Sequence, residues 1–150
     1  MSSPRIIPCL LLKGRGLVKG VGFRRHTYVG DPLNAVRIFN DKEVDELVFL
    51  DITATAENRL PNLDLIRSIA DECYMPFAVG GGVSSVEQIR RILEAGAEKV
   101  VLNTAALARP ELIGEAALEF GSQSIVVSID GKADWLGRKR VYGLCGRQRT

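Results

Sequence analysis

The sequence has few of the residues that build metal or hydrolytic sites. His26 is the only histidine, and the three cysteines, Cys9, Cys73 and Cys145, are widely spaced without a CxxC pair. We expect His26 to lie at the surface, since one histidine and scattered cysteines assemble neither a triad nor a metal site. An odd number of isolated cysteines is typical of structural thiols in the reducing cytoplasm, which is the expected location.

Long apolar runs and a strong charge of one sign are also missing. No segment approaches the ~20 uninterrupted apolar residues of a membrane span, and the N-terminus lacks the pattern of a secretory signal. A formal net charge of +2 is too small to predict binding to nucleic acid or to a membrane surface. The 150 residues, 46% of them apolar, predict a soluble globular protein of one-domain size.

Short apolar runs alternate with helical patterns along the chain. A parallel sheet of right-handed βαβ units is predicted, because the strands are apolar on both faces and each is followed by a helix. The first strand leads into a long loop that ends near residue 30, and the first helix begins at Asp31 and Pro32. Ser84 with Glu87 predicts a capping box. The predicted strands are 5–12, 46–53, 76–83, "KVVLNTAAL" and 124–130, and the later helices are 60–73, the segment after Ser84, and the segment between Pro110 and Gly121.

Two α/β architectures fit this order, namely an open doubly wound sheet and part of an eight-fold barrel. No G-x-G-x-x-G follows the first strand, which argues against a dinucleotide site, and no cofactor is expected. Polar residues instead follow several strands, and in a barrel these strand ends would all face one mouth. The barrel is therefore favoured, as one domain over 1–150, with a hairpin or excursion over 132–150 after the fifth strand.

The residues at the strand ends point to phosphate chemistry. The triplet Gly80–Gly82 leaves backbone N–H groups open to an anion, and Asn103 with Thr104 follows the next strand. Lys19 is either a residue that closes over a phosphate or an ordinary exposed lysine. Asp130 is either a general acid or base or a turn cap. Asp51 has the same strand-end position and either supports the site or organises its loop.

A second set of charged residues lies at the opposite ends of the predicted strands. Arg5, Glu46 and Lys99 each occupy the start of a strand. In a barrel these side chains converge at its base, where ion pairs that plug the barrel are the simplest interpretation.

Six stretches closely resemble the cyclase subunit of imidazole glycerol phosphate synthase: "RIIPCL", "VKG", "DELVFLDITA", "PFAVGGGV", "AGAEKVVLNTAAL" and "FGSQSIVVSID". The resemblance implies a (βα)8 TIM barrel of roughly 250 residues, of which this chain would be the N-terminal half plus strand 5. It also implies a cytoplasmic lyase of histidine biosynthesis. Such a subunit takes ammonia from a glutaminase docked at the barrel base and adds it to a phosphorylated ribulosyl-imidazolecarboxamide nucleotide.

The resemblance also assigns roles to individual residues. Asp130 matches the catalytic aspartate of the fifth strand, and Lys19 matches a loop lysine near the substrate. Gly82, Asn103 and Thr104 match a phosphate site. Arg5, Glu46 and Lys99 match residues that gate the entry of ammonia, which replaces their interpretation as a simple plug.

One position departs from the family pattern. Leu11 stands where the family has its other catalytic aspartate, and a leucine cannot transfer a proton. The first alternative is therefore a non-cyclising paralogue that conducts ammonia to a synthase amidinating a surface-polysaccharide sugar. The second alternative is a phosphosugar isomerase barrel, which would need no ammonia inlet. Two further expectations concern the half-barrel: it forms a homodimer that completes the barrel, or it is a piece of a longer gene product.

Overall fold

The structure is a computed structural model that describes residues 3–21, 24–133, 137–143 and 148–149. Cys145 and the chain end at Thr150 lie outside the described residues. The elements, in chain order, are β1 (Cys9–Lys13), β2 (Gly16–Val21), β3 (Arg24–Gly30), α1 (Pro32–Asp41), β4 (Leu47–Asp51), α2 (Leu63–Glu72), β5 (Phe77–Gly80), α3 (Val86–Glu94), β6 (Lys99–Leu102), α4 (Thr104–Ala108), α5 (Glu111–Phe120), β7 (Ile125–Val127), β8 (Asp130–Ala133), β9 (Lys139–Gly143) and β10 (Gln148–Arg149).

The main sheet has seven strands in the order β3-β2-β1-β4-β5-β6-β7. The last five strands of this order run parallel, and each pairs with the next one in the order. A doubly wound sheet reverses its direction of growth at a switch point, whereas the parallel strands here are added from β1 in one direction only, and the other side of β1 holds the antiparallel strands β2 and β3. The prediction of a half-barrel from the TIM-barrel family is confirmed.

The core lies between one face of the sheet and the helices. Its fully buried side chains come from the strands (Leu47, Phe49, Val100, Leu102) and from helices α2 and α3 (Ile66, Ile69, Ile89, Ile92), and none of them is more than 1% exposed. Burial of each such side chain is worth about 1.5–3 kcal/mol. Because side chains alternate along a strand, Leu11, Leu50, Gly80 and Val101 lie on the opposite face, here called the inner face, and are paired in register.

Local signals fix where the helices begin. Asp31 caps α1 as predicted, and its Oδ1 accepts hydrogen bonds from the backbone N–H groups of Leu33 (2.9 Å) and Asn34 (3.1 Å). The predicted capping box of Ser84 and Glu87 is wrong by one residue. Ser85 is the N-cap of α3, because its backbone is still extended and its hydroxyl accepts from the N–H of Gln88.

The long loop predicted before residue 30 is wrong. This segment forms the antiparallel hairpin β2–β3, which continues the sheet beyond β1. The turn from β1 to β2 includes Gly14 with φ +62°, a conformation that glycine adopts without strain. Lys19 therefore lies on β2, opposite Thr27, and is exposed.

Four strand predictions extend too far at their carboxyl ends: the strand predicted over 46–53 ends at Asp51, and the strand predicted over 76–83 ends at Gly80. "KVVLNTAAL" is a strand only to Leu102, and Thr104 begins the short helix α4. The strand predicted over 124–130 ends at Val127, and Asp130 begins β8 of a separate three-stranded antiparallel sheet. The excursion predicted over 132–150 stays a prediction, because 134–136, 144–147 and 150 are not described.

Gly80 offers a test of the inner face. A Cβ atom at this position would lie 2.8 Å from Cβ of Val101 and 2.9 Å from Cδ2 of Leu50. We expect Gly80→Ala to lower the free energy of unfolding by about 1–3 kcal/mol, because this part of the sheet has no room for a methyl group.

The control is Gly114→Ala in helix α5, where an added Cβ meets no atom within 4 Å. Replacement of this exposed helical glycine should raise the free energy of unfolding by about 0.5–1 kcal/mol. Urea unfolding measures both changes, and an unaltered midpoint for Gly80→Ala would contradict the packing described here.

Candidate functional site

The carboxyl ends of β4, β5 and β6 lie side by side at one edge of the sheet. Leu50 pairs with Gly80, and Gly80 pairs with Val101. The residues that follow these positions, Asp51, Gly81–Gly82 and Asn103, are therefore neighbours at this edge. The structure brings together the strand-end residues that the sequence predicted for a phosphate site.

Asp51 is the hydrogen-bond centre of the loop after β4. Its side chain is 2% exposed, and its Oδ1 accepts from the N–H of Thr53 (3.0 Å), the hydroxyl of Thr53 (3.1 Å) and the N–H of Ala54 (3.1 Å). Its Oδ2 accepts from Nη1 of Arg59 at 2.7 Å. Both oxygens are thus engaged by the protein itself, so Asp51 organises the loop; a role of Asp51 in supporting the site stays a prediction.

Sequence reasoning missed Arg59, the partner of Asp51. Its guanidinium donates to the Leu60 carbonyl (2.9 Å), to the Thr53 hydroxyl (2.8 Å) and to the Glu57 carboxylate (2.6 Å). The hydrogen bond to Asp51 raises the pKa of Arg59 above its usual range. Residues 52–58 between Asp51 and Arg59 are turns, where neither the helical nor the strand period relates two positions, so the sequence carried no signal for this pair.

The glycine triplet is packed against this loop. Gly81 has φ +117° and Gly82 has φ +67°. A Cβ atom would lie 2.3 Å from the Asp51 carbonyl oxygen at Gly81 and 2.0 Å from the Arg59 carbonyl oxygen at Gly82. Close backbone approach therefore requires both glycines, independently of any anion. The N–H of Gly82 donates to Oγ1 of Thr55 at 3.1 Å.

Asn103 and Thr104 form the adjacent part of the edge. The Asn103 side-chain amide donates to the Ser128 carbonyl at 3.1 Å, which ties the end of β6 to the segment after β7. Thr104 is the first residue of α4, and the first N–H groups of a helix have no partner within the helix. Backbone and hydroxyl donors thus stand beside the glycine triplet.

The remaining predicted residues lie on elements to either side. Lys19 is on β2, three positions from β5 in the strand order, and Asp130 lies beyond β7 on β8. Leu11 lies on the inner face, paired with Leu50 of β4 and with Val18 of β2. An apolar row therefore occupies the position for which the family pattern has an acid.

Three charged residues meet at the opposite edge of the sheet, and we call them the basal cluster. Glu46 is 5% exposed. It accepts from Nη2 of Arg5 at 2.8 Å and lies 2.7 Å from Nζ of Lys99. Arg5 precedes β1 rather than lying within it, and the segment is held in place where the N–H of Val48 donates to the Pro8 carbonyl. The predicted convergence is present.

Other chemistry has little support in the described part of the chain. Among residues 3–21, 24–133, 137–143 and 148–149, no group of three potential ligands could hold a metal ion. Cys9 and Cys73 are free thiols, and burial raises the pKa of Cys73. The helices described are too short and too polar to cross a membrane.

Loss of the ion pair between Asp51 and Arg59 should lower the free energy of unfolding. Asp51→Asn keeps an oxygen for the backbone donors but removes the charge that Arg59 faces. We expect a loss of about 1–3 kcal/mol in the free energy of unfolding, below the cost of breaking a fully buried pair because Arg59 is 35% exposed.

Asp71→Asn is the matched control, since Asp71 is exposed on α2. Its effect should stay within about 0.5 kcal/mol. Chemical denaturation compares the two variants, and equal midpoints would show that Asp51 does not hold the loop.

Comparison with known proteins identifies relatives of this chain. The family model described as "Histidine biosynthesis protein" matches residues 5–150. A Pseudomonas aeruginosa protein with the provisional name imidazole glycerol phosphate synthase subunit hisF2 is 54% identical over 138 residues, which are 92% of this chain and 55% of that protein. The imidazole glycerol phosphate synthase subunit HisF of Streptococcus mutans is 47% identical over 150 residues, 100% of this chain and 60% of that protein. The chain thus spans somewhat more than half the length of these relatives.

Proposed function

Because the chain belongs to the histidine biosynthesis protein family, we propose that it acts as a cyclase subunit of the imidazole glycerol phosphate synthase type. In this role it is a cytoplasmic lyase and part of a heterodimer. It accepts ammonia from a glutaminase partner and adds it to a phosphorylated ribulosyl-imidazolecarboxamide nucleotide. Relatives that carry the name of this synthase subunit support the assignment.

The basal cluster is the observation that carries this proposal. Two cations face one buried carboxylate, so the cluster has a formal excess of one positive charge. Such a cluster repels ammonium but not neutral ammonia. A phosphosugar isomerase needs no inlet at this end, so the basal cluster favours an ammonia-using protein over that alternative.

The proposed substrate site is the opposite edge of the sheet. Gly82, Asn103 and Thr104 would hold one phosphate group through backbone and side-chain donors. Lys19 on the exposed hairpin would place its positive charge beside the bound nucleotide. Asp130 would transfer a proton during ring closure.

The glutaminase would dock at the basal edge. Arg5 is 55% exposed there, and the neighbouring Ile6 and Ile7 are 65% and 42% exposed. Exposed apolar side chains beside a charged cluster are typical of a protein interface. A partner seated here would release ammonia directly at Glu46.

If the basal cluster gates the entry of ammonia, Lys99→Met should lower the glutamine-dependent activity more than the activity with free ammonium. In complex with the glutaminase, we expect product formation from glutamine to fall roughly tenfold, because Glu46 loses one of its two cations. Product formation from free ammonium should change much less, since ammonium in solution can also reach the substrate edge directly.

Lys99→Arg keeps the charge and is the control. It should retain most of the glutamine-dependent rate. A Lys99→Met protein that loses both activities equally would contradict a gate and indicate a structural role.

Leu11 favours a second candidate function, that of a paralogue which conducts ammonia but does not cyclise the nucleotide. Ring closure needs proton transfer on both sides of the substrate, and one of the two expected carboxylates is a leucine on an apolar row. In this candidate the ammonia serves a separate synthase that amidinates a surface-polysaccharide sugar.

The second candidate predicts that Leu11→Asp raises cyclisation by about 10²-fold or more, measured with the ribonucleotide and free ammonium. Leu11→Asn is the matched control, since asparagine has the shape of aspartate but transfers no proton. Rapid cyclisation by the unaltered protein, or equal rates for both variants, would contradict the paralogue.

A further inference from the structure

Gly82 has an acceptor for its backbone N–H within the protein. That N–H donates to Oγ1 of Thr55 at 3.1 Å. A backbone N–H has one proton, so it makes one strong hydrogen bond at a time. An anion that binds at Gly82 must therefore take the place of the Thr55 hydroxyl.

The loop holds Thr55 firmly at this position. The Thr55 carbonyl accepts from the N–H of Asn58 at 3.3 Å, and the neighbouring Ala54 carbonyl accepts from the N–H of Arg59 at 3.0 Å. The N–H of Ala54 in turn donates to Asp51. Because Asp51 fixes this turn, the Thr55 hydroxyl is placed at Gly82 by the fold rather than by a chance contact.

Exchange of the two acceptors needs no movement of the backbone. The threonine hydroxyl leaves Gly82 by rotation about χ1 into another staggered position. A hydrogen bond to a charged acceptor is roughly twice as strong as one between neutral groups. A phosphate can therefore displace the hydroxyl, although the lost Gly82–Thr55 bond weakens its affinity.

Arg59 reduces, but does not abolish, the repulsion of an anion by the carboxylates of this loop. Asp51 is adjacent to Gly81, and an uncompensated carboxylate there would repel phosphate. Arg59 compensates it through a contact of 2.7 Å, but Arg59 also pairs with the exposed Glu57 at 2.6 Å, so the three side chains keep a formal charge of −1. The Thr55 hydroxyl is thus left as the direct competitor for the Gly82 N–H.

We propose that Thr55 is a positioning residue that occupies the Gly82 N–H in the empty site and sets the affinity of this site for phosphate groups. This inference rests on the proposed phosphate site. It assigns a role to a threonine that the strand-end pattern did not single out. The hydroxyl satisfies a half-buried donor when no ligand is present and gives way when a phosphate arrives.

The test is a titration of Thr55→Val with inorganic phosphate, followed through the amide resonance of Gly82 by NMR. Valine has the shape of threonine but accepts no hydrogen bond. Without ligand, we expect faster hydrogen exchange at the Gly82 amide. With ligand, we expect phosphate to bind about threefold to tenfold more tightly than to the unaltered protein.

Thr55→Ser is the matched control, because it restores the hydroxyl and should restore the original affinity and exchange rate. The inference would also be supported if Thr55→Val bound phosphate while the unaltered protein and Thr55→Ser did not, since the hydroxyl would then block the site. Equal or weaker binding by Thr55→Val overturns it and leaves the phosphate site intact. Binding by none of the three proteins overturns both the inference and the proposed phosphate site.

Discussion

The common register of the parallel strands is the constraint on which the structure depends. The pairs from Leu11 to Leu50, Gly80, Val101 and Val126 align five neighbouring strands. All their amino ends therefore lie at one edge and all their carboxyl ends at the other. A slip of one residue would exchange the inner face and the core face. The strands approach closely at Gly80, where there is no space for a Cβ atom.

Among the residues that the structure describes, each of these two edges holds one buried carboxylate, and the two are stabilised differently. Asp51 is fixed by two backbone N–H groups as well as by Arg59, so its loop is rigid. The partners described for Glu46 are the side chains of Arg5 and Lys99. Side chains can rearrange while the backbone stays in place. A rigid carboxyl edge suits the binding of a substrate, and a basal cluster held by side chains suits the passage of a small molecule.

The order of strands and helices could be predicted because burial imposes an apolar pattern on every element. Asp31 with Pro32 marks the start of α1 through local contacts alone, without any tertiary contact. The hairpin β2–β3 was missed because its glycine- and arginine-rich sequence resembles a loop, and its pairing with β1 stabilises it as strand. The contact of Thr55 with Gly82 spans 27 residues. It follows from the close packing of two loops, for which the sequence has no periodic pattern.

Leu11 favours the packing of the inner face, but it cannot transfer a proton. An aspartate there would lie beside Leu50 on a largely apolar face, and desolvation would oppose its charge. Two carboxylates in one site can differ in pKa and divide the roles of acid and base. Asp130 has no carboxylate at position 11 with which it could divide these roles. Leucine removes the cost of desolvation and adds apolar contact, but it also removes the second proton carrier. The basal cluster does not involve position 11, so the proposed passage of ammonia does not depend on the residue there, whereas the proposed ring closure does.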